Sequence, residues 1–273
     1  MRSLFTVLLI FSVLAPAGNV FAQSRSDQTF DCLLEPHLRL KLATPVAGVL
    51  KKVLVDRGDL VRKGQVVAQL ESSIEEANLE LAAARAENNA TVQGKEVRVE
   101  FLTRKRERTA QLQARGSATD VALDEVETDL RAASQELREA EYSLRLAVLE
   151  KKRAEELLRQ RSITSPIDGV VVERNLGSGE YAYEQAPIVT VAQIDPLNVE
   201  VYVPVSMFGS IKVGSTAQVS PEEPVGGTYK ASVDVVDQVF DARSGTFGIR
   251  LKLPNPDSRL PGGLRCKLQF DQP

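Results

Sequence analysis

Thr44-Pro45-Val46-Ala47-Gly48-Val49-Leu50 is echoed by Ser165-Pro166-Ile167-Asp168-Gly169-Val170-Val171, and the offset of 121 residues persists beyond the two heptapeptides. In the same register Gly58 meets Gly179, Asp59 meets Glu180, and Val67, Ala68 and Leu70 meet Ile188, Val189 and Val191. One unit therefore occurs twice. Each copy reads as short strands rich in Val, Ile and Leu between glycine turns, Asp56-Arg57-Gly58-Asp59 in the first and Gly177-Ser178-Gly179-Glu180 in the second. A glycine late in such a turn lets the strand reverse through φ > 0. A copy of about 30 residues cannot cover both faces of its own strands, so the two are expected to pack together as one small β-sandwich.

Between the copies the composition changes. No proline interrupts 71–165, alanine and charge dominate, and from Leu123 the apolar or alanine positions alternate in steps of three and four. Val126, Leu130, Ala133, Leu137, Ala140, Leu144 and Ala147 lead into Lys151, Ala154 and Leu158, a heptad seam over five repeats. The preceding arm, roughly Ser72 to Ala114, opens with Ile74, Ala77, Leu81 and Ala84 as its expected seam. It weakens between Thr91 and Val99, where Gly94 and β-branched residues lower helix propensity. Arg115-Gly116-Ser117-Ala118-Thr119-Asp120 separates the arms, with Gly116 suited to a helix C-terminus and Ser117 or Thr119 to an N-cap. These features predict an antiparallel coiled-coil hairpin with arms of about 63 Å at 1.5 Å per residue.

Downstream, alternating patterns return in Leu197–Val205, Ser215–Ser220, Thr228–Phe240, Phe247–Leu253 and Leu264–Phe270, with a short helical turn expected over Ser206–Lys212. Pro254-Asn255-Pro256-Asp257 and Pro261-Gly262-Gly263 punctuate them. The pattern suits a small antiparallel β-barrel. The expected class is thus α+β, divided into a first half-motif with its preceding strand (30–71), a helical hairpin (72–161), a second half-motif (162–194) and a barrel (195–271).

At the N-terminus Arg2, the apolar run Leu4–Leu14 and the small-residue exit Val20-Phe21-Ala22 read as a cleaved secretory signal over 1–22. The run is too short to prefer spanning a bilayer, which needs about 20 apolar residues. A formal net charge of −3 gives no electrostatic footprint for nucleic acid. Aromatic residues at 5% and the absence of Trp favour long helices and thin β-domains over one large globule. Cys32 and Cys266 are the two cysteines of a chain addressed to an oxidising compartment. They suit either a disulfide, if the chain ends pair in one domain, or two buried thiols.

The order of half-motif, hairpin, half-motif and barrel resembles the membrane fusion proteins, the periplasmic adaptors of tripartite efflux systems, whose split biotinyl-lipoyl domain carries such a hairpin. Phe247–Phe270, with Leu-Pro-Asn-Pro-Asp and Leu-Pro-Gly-Gly-Leu-Arg, is similar to the end of that family's barrel. The resemblance implies a homo-oligomeric ring, an inner-membrane transporter of the resistance-nodulation-division type and an outer-membrane channel as partners. It also implies work in the periplasm, with the transporter supplying the energy. In adaptors of such pumps the hairpin tip carries Arg, Leu four residues on and Ser seven further on. Arg108 and Leu112 match that spacing, and Thr119 takes the serine's place, keeping the hydroxyl and adding a methyl. The structural reading beside it puts Arg108 in the solvated run Arg104–Arg108, Leu112 in the seam and Thr119 on the helix cap. The ring is expected to use the turns, through Asp56, Arg57, Gly58 and Asp59 on one side and Gly177, Gly179 and Glu180 on the other. The chain reads as a short form without the membrane-proximal domain, which makes the barrel the expected surface for the transporter. An adaptor for an ABC-linked or type I secretion system shares the architecture, and a periplasmic coiled-coil scaffold is the reading outside transport.

No reaction can be built from the motifs. The junction where a lipoyl or biotin carrier presents its lysine is replaced by the helical arms. His37 is the sole histidine and, with two distant cysteines, makes no zinc constellation. Gly177-Ser178-Gly179-Glu180-Tyr181-Ala182 fits a dinucleotide fingerprint only superficially, because strands are expected on both sides of it. No enzyme activity and no cofactor are expected.

Overall fold

A computed structural model describes residues 28–271, so the signal sequence assigned to 1–22 lies outside the described residues. In chain order the elements are β1 (Phe30–Ala43), β2 (Gly48–Val53), β3 (Leu60–Val61), β4 (Val66–Leu70), α1 (Ser73–Glu87), α2 (Ala90–Ala114) and α3 (Asp120–Arg159). After the hairpin come β5 (Ser162–Thr164), β6 (Gly169–Arg174), β7 (Tyr181–Ala182), β8 (Pro187–Pro204), β9 (Thr216–Pro221), β10 (Tyr229–Val236), β11 (Thr246–Leu253) and β12 (Arg265–Phe270). The chain divides into two compact units, Leu34–Asn198 with Lys252–Gly263, and Val199–Leu251 with 28–33 and 264–271. By contacts, the division lies within β1, β8 and β11. The first residues of β1 therefore group with the barrel and the Pro-rich 254–263 segment with the sandwich.

In the first unit the repeat becomes a strand exchange. β2 pairs with β4 of its own half and with β7 of the other; β6 pairs with β8 of its own half and with β3 of the other. The registers are equivalent down to the irregularities. Leu50 faces Leu70 and Lys52 faces Gln69, while Val171 faces Val191 and Glu173 faces Thr190, so both halves slip by one residue after the same strand position. Each half supplies what the other lacks, which is why neither would stand alone. The shared core holds Leu50, Val67, Leu70, Val171, Ile188 and Val191, each at most 1% exposed. Burying a side chain of this size is worth about 1.5–3 kcal/mol, so the core forms only when both halves are present.

The hairpin leaves and re-enters this unit at Leu70, whose N–H donates to Arg161 O at 2.8 Å. On α3 the expected seam is the observed one: Val126, Ala133 and Ala154 are buried and the intervening seam positions half-buried. On the first arm the expected seam was wrong. Ile74, Ala77, Leu81 and Ala84 are exposed, and the inward side chains are Glu75, Leu79, Ala82 and Ala86. Gly94 and the stretch around it are helical, as expected, but the arm contains a break. It falls at Asn88–Asn89, where Asn88 adopts φ −80°, ψ 93°. Continuing the three-four alternation past Ala86 leads to Asn89 and Gln93, yet the half-buried side chain is Val92, one residue early. The extended Asn88 absorbs that slip, and Val92, Lys95, Val99 and Leu102 carry the seam onward.

In the second unit β12 pairs antiparallel with both β1 and β9, and β9 with β10. β11 joins β10 to β8, and β1 also pairs with β8, closing six strands on themselves. Alternation drives the barrel: Ala217, Val219, Ala231, Phe247, Ile249 and Leu268 point inward at 0–1% exposure. The strand expected to reach Phe240 ends at Val236, and the helical turn is a single 3-10 turn at Val205–Met207. Phe240 lies in the following loop, 4.8 Å from Phe208 between ring centroids.

Candidate functional site: hairpin tip and sandwich turns

The tip closes by two caps that the sequence dictates. Gly116, at φ 72°, follows the last turn of α2 and lets two N–H groups reach back: Gly116 to Gln113 O at 2.8 Å and Ser117 to Leu112 O at 2.8 Å. This is the Schellman arrangement, in which a left-handed residue satisfies the orphan carbonyls of a helix end. On the other side Thr119 is the N-cap of α3, its Oγ1 accepting from Ala122 N at 3.2 Å. Gln113 Nε2 donates to Asp120 Oδ1 at 2.9 Å across the turn. Caps at both ends and one side-chain bond thereby hold the tip.

Arg108, Leu112 and Thr119 divide unequally between the two readings given above. Leu112 is 41% exposed and lies outside the seam. The Arg108 guanidinium is exposed and makes no hydrogen bond or ion pair among the described residues, whereas Arg104 and Arg106 of the same run pair with Glu100 and Glu127. Thr119 is a capping residue whose acceptor is in use, although its O–H can still donate. One turn apart on α2, Arg108 and Leu112 thus offer a free bidentate donor and an apolar knob beside a rigid turn.

The glycine turns lie in the sandwich. Gly58 N donates to Val171 O at 2.8 Å and Val171 N to Asp59 O at 2.9 Å; the equivalent bonds run from Gly179 N to Leu50 O at 2.7 Å and from Leu50 N to Glu180 O at 2.8 Å. The carboxylate of Asp59 accepts from Asp56 N at 2.7 Å, Asp56 stands 3.5 Å from Arg174, and Arg57 is exposed. Gly177 O accepts from Glu180 N at 3.3 Å. The turn at 177–180 runs into β7 and not into a helix, so it lacks the amide cluster that a dinucleotide phosphate needs.

Two features escaped the sequence reading. Arg161 Nη2 donates to Glu75 Oε1 at 2.6 Å, with both side chains largely covered, and Nη1 points at Ala47 O, so one arginine ties α1, the end of α3 and the sandwich together. Glu71 receives Ser72 N and Ser73 N at the start of α1 and also the Ser73 hydroxyl, bonds to Ser73 that hold its carboxyl below the usual range. In the barrel Cys32 and Cys266 are register partners, their sulfurs 2.05 Å apart in a disulfide. His37 Nδ1 lies 3.2 Å from Asn198 Oδ1, and among the described residues no His, Cys, Asp and Glu side chains group to hold a metal ion. No helix among the described residues is long and apolar enough to cross a membrane.

Comparison with known proteins divides the chain near residue 195. The CzcB-like, barrel-sandwich hybrid domain family matches residues 39–193, and the CusB-like, beta-barrel domain family matches residues 196–273. The nodulation protein NolF of Rhizobium meliloti is 25% identical over 85% of this chain and 59% of its own length. The macrolide export protein MacA of Yersinia pestis is 27% identical over 81% of this chain and 62% of its own length. This chain therefore spans somewhat over half the length of these curated relatives. Among solved structures, MacA from Actinobacillus actinomycetemcomitans superimposes with a TM-score of 0.70 at 20% identity, covering 89% of this chain and 78% of that one. With the strand-exchanged sandwich, the capped hairpin and the closed barrel all in place, the chain belongs to the membrane fusion proteins, with a CzcB-like barrel-sandwich hybrid domain and a CusB-like barrel.

Proposed function

We propose that this protein is a periplasmic adaptor that links an inner-membrane transporter to an outer-membrane channel for export, without catalysing a reaction itself. The observation that carries the reading is the tip: a hairpin of about 60 Å whose rigidly capped end presents an exposed Leu112 and an Arg108 without an ion-pair partner among the described residues. A guanidinium and a knob of this kind suit the carbonyls and groove of another helical hairpin. The CusB-like barrel and the similarity to the cobalt-zinc-cadmium resistance protein CzcB of Cupriavidus metallidurans, 24% identical over 80% of this chain, support a resistance-nodulation-division transporter as the inner-membrane partner. Several copies would form a ring through the turns at Asp56–Asp59 and Gly177–Glu180.

The test is a photo-crosslinking residue at Ala118, followed by capture from solubilised envelopes and mass spectrometry. Recovery of an outer-membrane channel, lost on Arg108→Asp, is the expected result. The co-purified transporter names the pump class, an ATPase pointing to the ABC-linked adaptor. Recovery of soluble periplasmic proteins alone would overturn the reading in favour of a scaffold.

A further inference from the structure

The break in the first arm leaves the hairpin seam short of side chains at one level. From Glu87 to Thr91 every residue of that arm is exposed, so nothing turns inward between Ala86 and Val92. The second arm does not make up the deficit, because the seam residues opposite are Ala140, Leu144 and Ala147, two of them without bulk. A coiled coil fills each level with knobs from both helices. Here the missing knobs leave an open groove of about 460 Å³ between the arms, a volume that takes a small organic molecule.

The floor of the groove is apolar, formed by Val92, Ala140, Leu144 and Ala147, all half-buried. Its rim carries the Thr91 and Ser143 hydroxyls, which make no hydrogen bond among the described residues. Each cation beside the groove has an acid from the opposite arm: Arg85 stands 4.0 Å from Glu150 at one end, and Lys95 stands 2.7 Å from Glu136 at the other. Glu139 also lines the groove, between those two pairs in sequence, and it enters no ion pair or hydrogen bond among the described residues. The cations being matched, one carboxylate is left uncompensated beside an apolar floor.

We propose that this groove binds a small organic cation with an apolar body, of the kind of a planar aromatic pyridinium or ammonium ion. The body displaces water from the alanine floor and Glu139 takes the charge, while the two hydroxyls meet any polar edge. An anion of the same shape meets Glu139 as a like charge, and a strongly polar molecule gains nothing from the floor. The site is complete within one hairpin and needs neither a transporter nor a channel. Because both arms touch the ligand, its binding also braces the first arm across Asn88 and Asn89.

The test uses the exported full chain and ethidium, a planar cation whose fluorescence rises out of water. Titration should saturate at one dye per chain. Glu139→Gln should raise the Kd about three- to fivefold. Ala140→Leu, which fills the floor, should raise it about tenfold or more, and Ser143→Leu, which closes the rim, should act in the same direction. Anilinonaphthalene sulfonate, an anion of similar size, should not displace the dye. Unchanged helical circular dichroism checks that the variants fold. Bound dye should also slow hydrogen exchange at residues 87–92 about threefold or more, and unslowed exchange would overturn the bracing. No saturable binding, binding that neither leucine variant weakens, or displacement by the anion would overturn the site. Weaker binding in the leucine variants with Glu139→Gln unchanged would overturn the cation as its ligand.

Discussion

Gly58 and Gly179 occupy equivalent places in two turns that each hydrogen-bond into the opposite half of the sandwich, at 2.8 Å to Val171 and 2.7 Å to Leu50. Both sit at positive φ, 95° and 88°, and nothing lies within 4 Å of where a Cβ would stand. Substitution therefore costs backbone conformation alone. Gly58→Ala and Gly179→Ala should each lower the unfolding free energy by about 1–2 kcal/mol, measured by urea denaturation. An unchanged midpoint in either variant would show that its turn reshapes freely and that the exchange does not depend on it.

The clamp between Arg161 and Glu75 governs how the hairpin is rooted. At 2.6 Å, with side chains 24% and 17% exposed, the pair is covered enough that removing one member strands the other. Arg161→Ala should cost about 1–3 kcal/mol and speed hydrogen exchange in the first turns of α1 and the last of α3. Glu75→Gln with Arg161→Gln, which leaves no charge unmatched, should cost less than Arg161→Ala. If the double variant were the worse of the two, the pair would be acting as a net source of stability and not as a positioning contact.

What the sequence disclosed and what it withheld separate along physical lines. The repeat was legible because turn glycines and β-branched runs recur at one spacing, and the tip was legible because Gly116 and Thr119 are cap residues. The exchange of β3 and β7 was not, since a strand's residues do not record which half they pair with. The first arm misled because Ile74, Ala77, Leu81 and Ala84 have the same three-four spacing as a seam, while the true seam includes Glu75, a charge recruited by Arg161. The slip at Asn88 then shifted the phase of everything after it. At the candidate site, the spacing of Arg108 and Leu112 was visible, but which arginines of the run are engaged was not: Arg104 is taken by Glu100 of its own helix and Arg106 by Glu127 of the opposing arm, while Arg108 meets no carboxylate among the described residues.

Cys32 and Cys266 join strands that lie 234 residues apart in sequence. In the chain-entropy account, closing so long a loop restricts the unfolded state by about 5 kcal/mol at most. Cys32→Ser, or reduction of the exported protein, should lower the thermal midpoint of the barrel, read by near-ultraviolet dichroism, while the helical signal of the hairpin changes less. A midpoint indifferent to reductant would mean that the β1–β12 pairing holds without its covalent link.

The arms themselves should loosen in acid for a reason that can be assigned. Lys95 Nζ donates to Glu136 Oε2 at 2.7 Å across the hairpin, and that bond, aided by the charges of Lys95 and Arg98, holds the Glu136 carboxyl below its ordinary 4.5. A carboxyl depressed in the folded state contributes stability that is present above its unfolded value and is lost as pH falls through the folded one. Between about pH 5 and pH 3 the wild-type hairpin should therefore lose helical stability faster than a Glu136→Gln variant, whose side chain does not titrate. Comparing the two isolates this pair from Glu71, which is depressed in the same direction by Ser73. Parallel pH profiles for the two proteins would show that the Lys95–Glu136 bond is fully screened by solvent, and would leave the seam through Leu102 and Ala133 to hold the arms together.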